Sequence, residues 1–267
     1  MFLILFLLCF SFLAQAEVFQ WIDDQGKYHF SDKARQGSKV FQLEKSHSYY
    51  QVKKIYDGDT ILLKKGKKIR FLGVNTPEVE GRNKSAQAGG EEAKQWLVAK
   101  LKNKKVRLEM DVEKKDKYGR VLAHVFTEDK QHLNLELIKL GLGNLNIYPP
   151  SLKYLDVMLY AAKKAESSRL GIWARKEYKL KKVGDITKAN YKGWQRVVGI
   201  IKNIHHTRKN SYLNFSDGFS VRIAKNSFKY FPALEKYVGQ RVEVNGWINK
   251  RKDKFSMFVR HSSAIKL

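Results

Sequence analysis

The chain has 267 residues, 43% of them apolar, and carries 52 Lys and Arg against 26 Asp and Glu, a formal net charge of +26. That length suits two domains and a small extra element, and the single cysteine excludes a disulfide-stapled scaffold or a cluster of thiolate metal ligands. A field so positive concentrates polyanions and hastens their encounter, so nucleic acid is the expected partner, with an anionic membrane surface as the rival.

From the start of the chain, Phe2 to Leu13 is almost wholly apolar, and Ala14-Gln15-Ala16 has the small-x-small pattern of a signal-peptidase site. The run is too short to span a bilayer comfortably. Residues 1–16 therefore read as a cleaved export signal that leaves no stable membrane anchor, although no Lys or Arg precedes the run. Leu7 and Leu8 before Cys9 argue against lipid attachment there, and cleavage after Ala16 leaves a mature chain without cysteine. Residues 17–36 read as a small β module, in which Val18, Phe19, Trp21 and Ile22 lead through Asp24-Gln25-Gly26 to Tyr28-His29-Phe30. The polar stretch 37–48 reads as a linker.

A dense β region begins at residue 49. Val52 to Tyr56 and Thr60 to Lys65 flank Asp57-Gly58, and Lys67 to Val74 follows Gly66, a hairpin signal. Ala93, Trp96, Leu97, Lys100 and Leu101 keep a helical period. Val106, Leu108 and Met110 alternate as a half-buried strand does, and Arg120 to Thr127 is a further strand. Leu133 to Leu140 reads as a short helix ending at Gly141. Ser151 is positioned to cap a third helix whose stripe is Leu152, Leu155, Leu159 and Ala162, with Gly171 just past its end. Three strands, a helix, two strands and two helices predict a small closed barrel with helices packed on it.

The Lys-rich stretch 174–190 is weakly patterned and reads as a linker. Residues 191–267 form a second β block with strands over 196–203, 212–215, 219–224, 241–249 and 255–260, and a helical stretch over 226–237 between the third and fourth. A helix at that point matches the order of an OB fold. The fold class is thus mainly β with helices: one five-stranded barrel with three helices over 49–173, and a second, OB-like barrel.

Three segments carry chemistry as a set: Asp57-Gly58-Asp59-Thr60, Arg70-Phe71-Leu72-Gly73-Val74-Asn75-Thr76-Pro77-Glu78, and Asp116-Lys117-Tyr118-Gly119-Arg120. Singly, each is an ordinary turn or strand exit. Together they hold what phosphodiester hydrolysis requires. The transition state gains negative charge on its oxygens, so a catalyst needs a cation, further donors and a base for the water. Arginine forks match phosphate oxygens, and a carboxylate serves as the base. A hard cation takes carboxylate, amide and carbonyl oxygens.

In that order and spacing, and with Leu170-Gly171-Ile172-Trp173 closing the region, the segments resemble the staphylococcal nuclease (thermonuclease) family from about Val52 to Trp173. The resemblance implies a five-stranded OB barrel with three helices and calcium-dependent cleavage of DNA and RNA that leaves 3′-phosphates. It implies that Asp59 and the Thr76 carbonyl hold the metal, that Asp57 lies close to it, and that Glu78 is the base. Arg70 and Arg120 would bind the scissile phosphate, and Tyr118, Lys117 and Tyr148 the nucleotide. Asn75 stands where the family pattern has a second metal-binding Asp; its amide oxygen can still coordinate, with weaker binding expected. Asn146 replaces a pocket tyrosine, and 79–90 departs from the family's loop.

Trp21-Ile22-Asp23, Gly26 and His29-Phe30-Ser31-Asp32 resemble a short module at the start of many Gram-negative envelope proteins, which implies a periplasmic or secreted location. The C-terminal block resembles an OB-fold nucleic-acid-binding domain in Tyr212-Leu213-Asn214-Phe215, Phe219 to Ile223 and Val244 to Ile248. Tyr212, Phe219, Arg222 and Trp247 are its candidate contacts for single strands. The expected function is an exported, metal-dependent nuclease acting on DNA or RNA. The rival is a catalytically silent nucleic-acid-binding envelope protein, which would be expected to lack the base or an arginine.

Overall fold

A computed structural model describes residues 18–25, 27–41, 48–81, 85–215 and 218–267. The export signal expected at 1–16 and the turn glycine Gly26 lie outside the described residues. Among those described, no helix is long and apolar enough to cross a membrane. The chain forms two compact units that divide at Ser48.

In the first unit, β1 (Val18–Ile22) pairs antiparallel with β2 (Tyr28–Ser31), Trp21 opposite His29. The two rings stack at 5.2 Å, and the Arg35 guanidinium lies 5.0 Å from the Trp21 ring. A third strand, β3 (Lys39–Phe41), pairs with the other edge of β1. The module therefore reaches into the stretch expected to be linker. Its three paired strands supply what a lone hairpin lacks.

The second unit begins with β4 (Tyr49–Asp57), β5 (Thr60–Leu63), β6 (Lys68–Phe71) and β7 (Gly73–Asn75). Helix α1 (Gly90–Leu101) follows, then β8 (Lys105–Glu109), β9 (Val121–Thr127), α2 (Leu133–Lys139), β10 (Asn144–Asn146) and α3 (Leu155–Ser167). Five of these strands close a barrel in the order β4-β5-β6-β9-β8, as the strand and helix order predicted. Period two explains the barrel wall: Ile69 and Phe71 of β6 face the core while Lys68 and Arg70 face away. Ile61, Leu63, Val106, Ala123 and Val125 join them, and Leu97, Leu133 and Leu137 cover them from the helices.

Gly58 is fixed by close approach. A Cβ there would meet the Ala93 Cβ and the Thr76 side chain at 2.7 Å, so α1 packs directly on the Asp57–Asp59 turn. Gly141 ends α2 with φ +66°, as its sequence position predicted. Helix α3 differs from expectation. It starts at Leu155, and the Ser151 hydroxyl accepts from the Glu113 N–H instead of capping it. The buried stripe is Met158, Ala161, Ala162 and Ala165, which shares only Ala162 with the predicted set.

A polar knot lies between β9 and α2. His124 Nδ1 and His132 Nε2 are 3.1 Å apart, and both rings pack against Tyr154. Glu109, Asp111, Arg107 and Lys153 surround the pair. Burial pushes His124 down to about 4, and burial with its neighbour's charge pushes His132 down to about 3. The fold thus favours neutral rings. This stability is complete above the unfolded histidine value of about 6.5 and is lost as pH falls from there toward 4 and 3. The unfolding free energy should drop across that window, by at most about 1.4 kcal/mol per pH unit per histidine, and the thermal midpoint should fall with it. A His132→Gln variant should show a shallower fall.

The second barrel comprises β12 (Trp194–His206), β13 (Asn210–Phe215), β14 (Phe219–Ala224), β15 (Arg241–Arg251) and β16 (Lys254–Val259). Short strands β11 (Lys181–Lys182) and β17 (Ile265–Lys266) extend β12 and β15. The order β12-β13-β14-β16-β15 closes through β15–β12 pairing, with β14 and β16 parallel. It repeats the pairing order of the first barrel. The helical stretch expected at 226–237 is two 3₁₀ turns, Lys225–Tyr230 and Leu234–Tyr237. Pro232 forces Phe231 into extended backbone and separates them.

The stretch 174–190 is packed, not a free linker. Tyr178 is buried against Trp194, and Val183 and Ile186 enter the second barrel's core. The Tyr178 hydroxyl donates to the Ala88 carbonyl at 3.0 Å. Across the same junction, Glu166 of α3 pairs with Arg196 and with Lys266, and both cations also meet Glu243. The two barrels are docked.

Candidate active site

One cleft of about 1030 Å³ runs along the first barrel and reaches the second. All ten predicted site residues line it: Asp57, Asp59, Arg70, Asn75, Thr76, Glu78, Lys117, Tyr118, Arg120 and Tyr148. The β4–β5 turn supplies the two aspartates, β6 supplies Arg70, β7 and its exit supply Asn75 to Glu78, and the turn before β9 supplies Lys117 to Arg120.

Asp59 is the anchor. It is 4% exposed; Oδ2 accepts from the Thr76 N–H at 2.7 Å, and Oδ1 meets the Arg70 guanidinium at 2.9 Å and the Thr60 hydroxyl at 2.9 Å. Asp57 accepts the Asp59 N–H at 3.1 Å. Burial, and after it the charge of Asp59, push the Asp57 carboxyl up to about 7. Two carboxylates and a backbone carbonyl form an all-oxygen donor set of the kind a hard divalent cation takes. The crowding of negative charge at Asp57 and Asp59 is what such a cation would relieve. Among the described residues there is no group of three or more His, Cys, Asp or Glu that could hold a metal. The fit rests on Asp57, Asp59 and the Thr76 carbonyl.

Asn75, expected as a ligand, is engaged otherwise. Its Oδ1 accepts from Arg70 at 3.0 Å and its Nδ2 donates to the Thr76 carbonyl at 3.1 Å. The oxygen cannot be exchanged for the amide nitrogen, because Arg70 has only donors to offer. An Asn75→Asp variant would free the Thr76 carbonyl and add a negative charge. Its dissociation constant for a divalent cation, with calcium as the probe in calorimetry, should fall about ten-fold; an unchanged titration would overturn this reading.

The two arginines are held differently. Arg70 is nearly buried. Its Nη1 serves Asp59 and the carbonyls of Val74 and Phe71, and its Nη2 serves Asn75. Among the described residues, Nε and one Nη2 hydrogen are left without an acceptor. Arg120 is pinned only through Nε, which donates to Asp116 Oδ2 at 2.6 Å. Both of its terminal nitrogens are without a protein acceptor among the described residues. Asp116 also accepts the Tyr118 and Arg120 N–H groups, closing a tight turn. Although burial opposes it, the Arg120 guanidinium holds the Asp116 carboxyl below its usual range.

Glu78 is partly buried on the cleft wall. Its N–H donates to Gln87 Oε1 at 3.0 Å and its carbonyl accepts from the Gln87 N–H at 2.8 Å, which fixes the strand exit. Tyr118 is 72% exposed beside Lys117, and Tyr148 is 42% exposed. Asn134, which no sequence motif marks, positions this wall from behind. Fully buried, it donates to the Leu72 and Ala123 carbonyls and accepts from the Val125 N–H.

Of the C-terminal candidates, Trp247 reaches the cleft, Tyr212 and Arg222 lie on the barrel's outer face, and Phe219 is 2% exposed in the core. Arg260, not anticipated, also lines the cleft.

A family profile described as staphylococcal nuclease homologue matches residues 68–175, and one described as a domain of unknown function (DUF4124) matches residues 5–49. The thermonuclease of Staphylococcus intermedius is 37% identical over 161 residues, covering 59% of this chain and 89% of that protein. The thermonuclease of Staphylococcus hyicus is 40% identical over 128 residues, 47% of this chain and 75% of its own. Endonuclease YncB of Bacillus subtilis strain 168 is 37% identical over 127 residues, 46% and 60% of the two chains. A barrel of the expected order, a cleft lined by all ten predicted site residues, and a thermonuclease matched along nearly its whole length lead to one assignment: the chain belongs to the staphylococcal nuclease family.

Proposed function

We propose that the chain is an exported nuclease that hydrolyses phosphodiester bonds of DNA or RNA with a divalent cation, calcium by family resemblance, and leaves 3′-phosphates. The observation that carries this reading is the convergence of Asp57, Asp59, Arg70, Glu78 and Arg120 on one cleft. Relatives named thermonuclease and endonuclease support it.

In this reading Asp59, Asp57 and the Thr76 carbonyl would hold the cation, which would supply positive charge to offset the negative charge that grows on the phosphoryl oxygens. The open nitrogens of Arg120 grip two phosphate oxygens, and the free donors of Arg70 take a third contact. Glu78 accepts a proton from the attacking water as its oxygen bonds to phosphorus. The bond from phosphorus to the 5′ oxygen breaks, that oxygen takes up a proton, and the 3′-phosphate remains. Tyr118, Lys117 and Tyr148 hold the nucleotide beside the break.

Export to the periplasm or medium of a Gram-negative cell is supported by the apolar run and small-x-small site at residues 2–16. The deciding experiment incubates purified protein with plasmid and single-stranded DNA, with calcium or with chelator. Cleavage that needs the cation and yields ends removable by a 3′-phosphatase is expected. No cleavage in any divalent metal would overturn the reading.

A further inference from the structure

The outer face of the second barrel carries a ladder of cations and rings that begins at the catalytic cleft. Arg260, just beyond β16, has its guanidinium 4.5 Å from the Tyr148 ring, in the first barrel, and 4.3 Å from the Phe258 ring, in the second. Phe258 lies opposite Arg222 on the neighbouring parallel strand, and the Arg222 guanidinium is 4.2 Å from that ring. Arg222 in turn lies opposite Tyr212 on β13. Period two explains the shared face: Val221, Ile223, Met257 and Val259 point inward, so their neighbours Arg222 and Phe258 point outward. Trp247, 39% exposed, stands beside Arg260 on the cleft wall.

We propose that this ladder is a binding track for single-stranded nucleic acid, continuous with the nucleotide site at Tyr148. This inference rests on the nuclease reading above. Alternating guanidinium groups and aromatic rings suit a single strand in particular. Its phosphates meet the cations and its unpaired bases meet ring faces, whereas a duplex keeps its base faces stacked. Charge complementarity points the same way, because residues 191–267 hold sixteen Lys and Arg against four Asp and Glu. The docked junction matters as much as the ladder. With Glu166 bound to Arg196 and Lys266, the track keeps a fixed register to the cleft. Arg260 is the joint, a positioning and binding group shared by both barrels. The enzyme then favours strands long enough to lie on both barrels over substrates that fill the cleft alone.

The test uses the full chain. Cleavage efficiency is measured on a thymidine 20-mer and on a thymidine dinucleotide, for wild type and for Arg222→Gln, Phe258→Leu and the Arg222→Gln/Arg260→Gln pair. Binding of the labelled 20-mer and of a 20-base-pair duplex is followed by fluorescence anisotropy over a salt series. The ratio of 20-mer to dinucleotide efficiency should fall about ten-fold in the paired variant. Its log-affinity for the 20-mer should lose salt dependence by about 0.7 per phosphate contact removed. Phe258→Leu, which keeps apolar packing, should weaken single-strand binding more than duplex binding. An unchanged ratio with unchanged binding overturns the track, as does equal weakening for strand and duplex. Wild type that binds the 20-mer through Arg222 but cleaves nothing overturns the nuclease reading and leaves the track standing. Thermal melting of each variant separates lost contacts from lost fold.

Discussion

Glu78→Gln should lower the turnover number on single-stranded DNA by about 10²- to 10⁴-fold while leaving binding of the strand nearly unchanged. The amide keeps the shape of the side chain on the cleft wall but cannot take a proton from water. The backbone that carries it stays fixed, because its N–H and carbonyl are both bound to Gln87. Loss confined to the turnover number separates a base from a side chain that merely braces the strand exit. Single-turnover cleavage beside anisotropy would check this. A variant that cleaves within ten-fold of wild type would remove Glu78 from the proton transfer.

The second large effect concerns the arginines, whose environments predict opposite profiles. Arg70→Ala leaves the Asp59 carboxylate buried without its counter-ion and removes the donor to two carbonyls and Asn75. Breaking one side of a buried pair costs about 3–5 kcal/mol, so both stability and activity should collapse. Arg120→Ala removes a partly exposed pair with Asp116, which costs about 1 kcal/mol or less. Its activity should still fall by about 10²- to 10³-fold, since the function proposed above gives its terminal nitrogens, which have no protein acceptor among the described residues, to the phosphate. Urea denaturation measured beside cleavage rates gives both numbers for each variant. Equal stability losses would show that Arg70 is not the structural counter-ion of Asp59.

The sequence was legible wherever a local rule decided the structure. Alternation at Ile69 and Phe71 marks a barrel strand, and the Lys-rich hairpin at Gly66 and the stop at Gly141 follow from backbone needs alone. The same rule could have removed Phe219 from the list of contacts. Phe219, Val221 and Ile223 share one face, and a face of three large apolar residues is a core face. Asn75 is a different case. Whether an amide meets a metal or an arginine depends on which donors the fold brings near, and its partners are Arg70, five positions back, and the next carbonyl. Tyr178, Val183 and Ile186 sit singly among lysines with no period. Their burial is set by a surface that exists only after two barrels have formed. Arg260 was hidden for the same reason.

That junction also separates two kinds of boundary. The family profile ends at Arg175, within a few residues of where the nuclease region ends by its motifs. Cutting there would uncover Ile172 and Trp173, strip Tyr178 from the Ala88 carbonyl and leave Glu166 facing water without its two cations. The stretch matched by the family profile is therefore smaller than the stretch that packs together. Any exchange of the second barrel for another would have to rebuild the wall against which the first one packs.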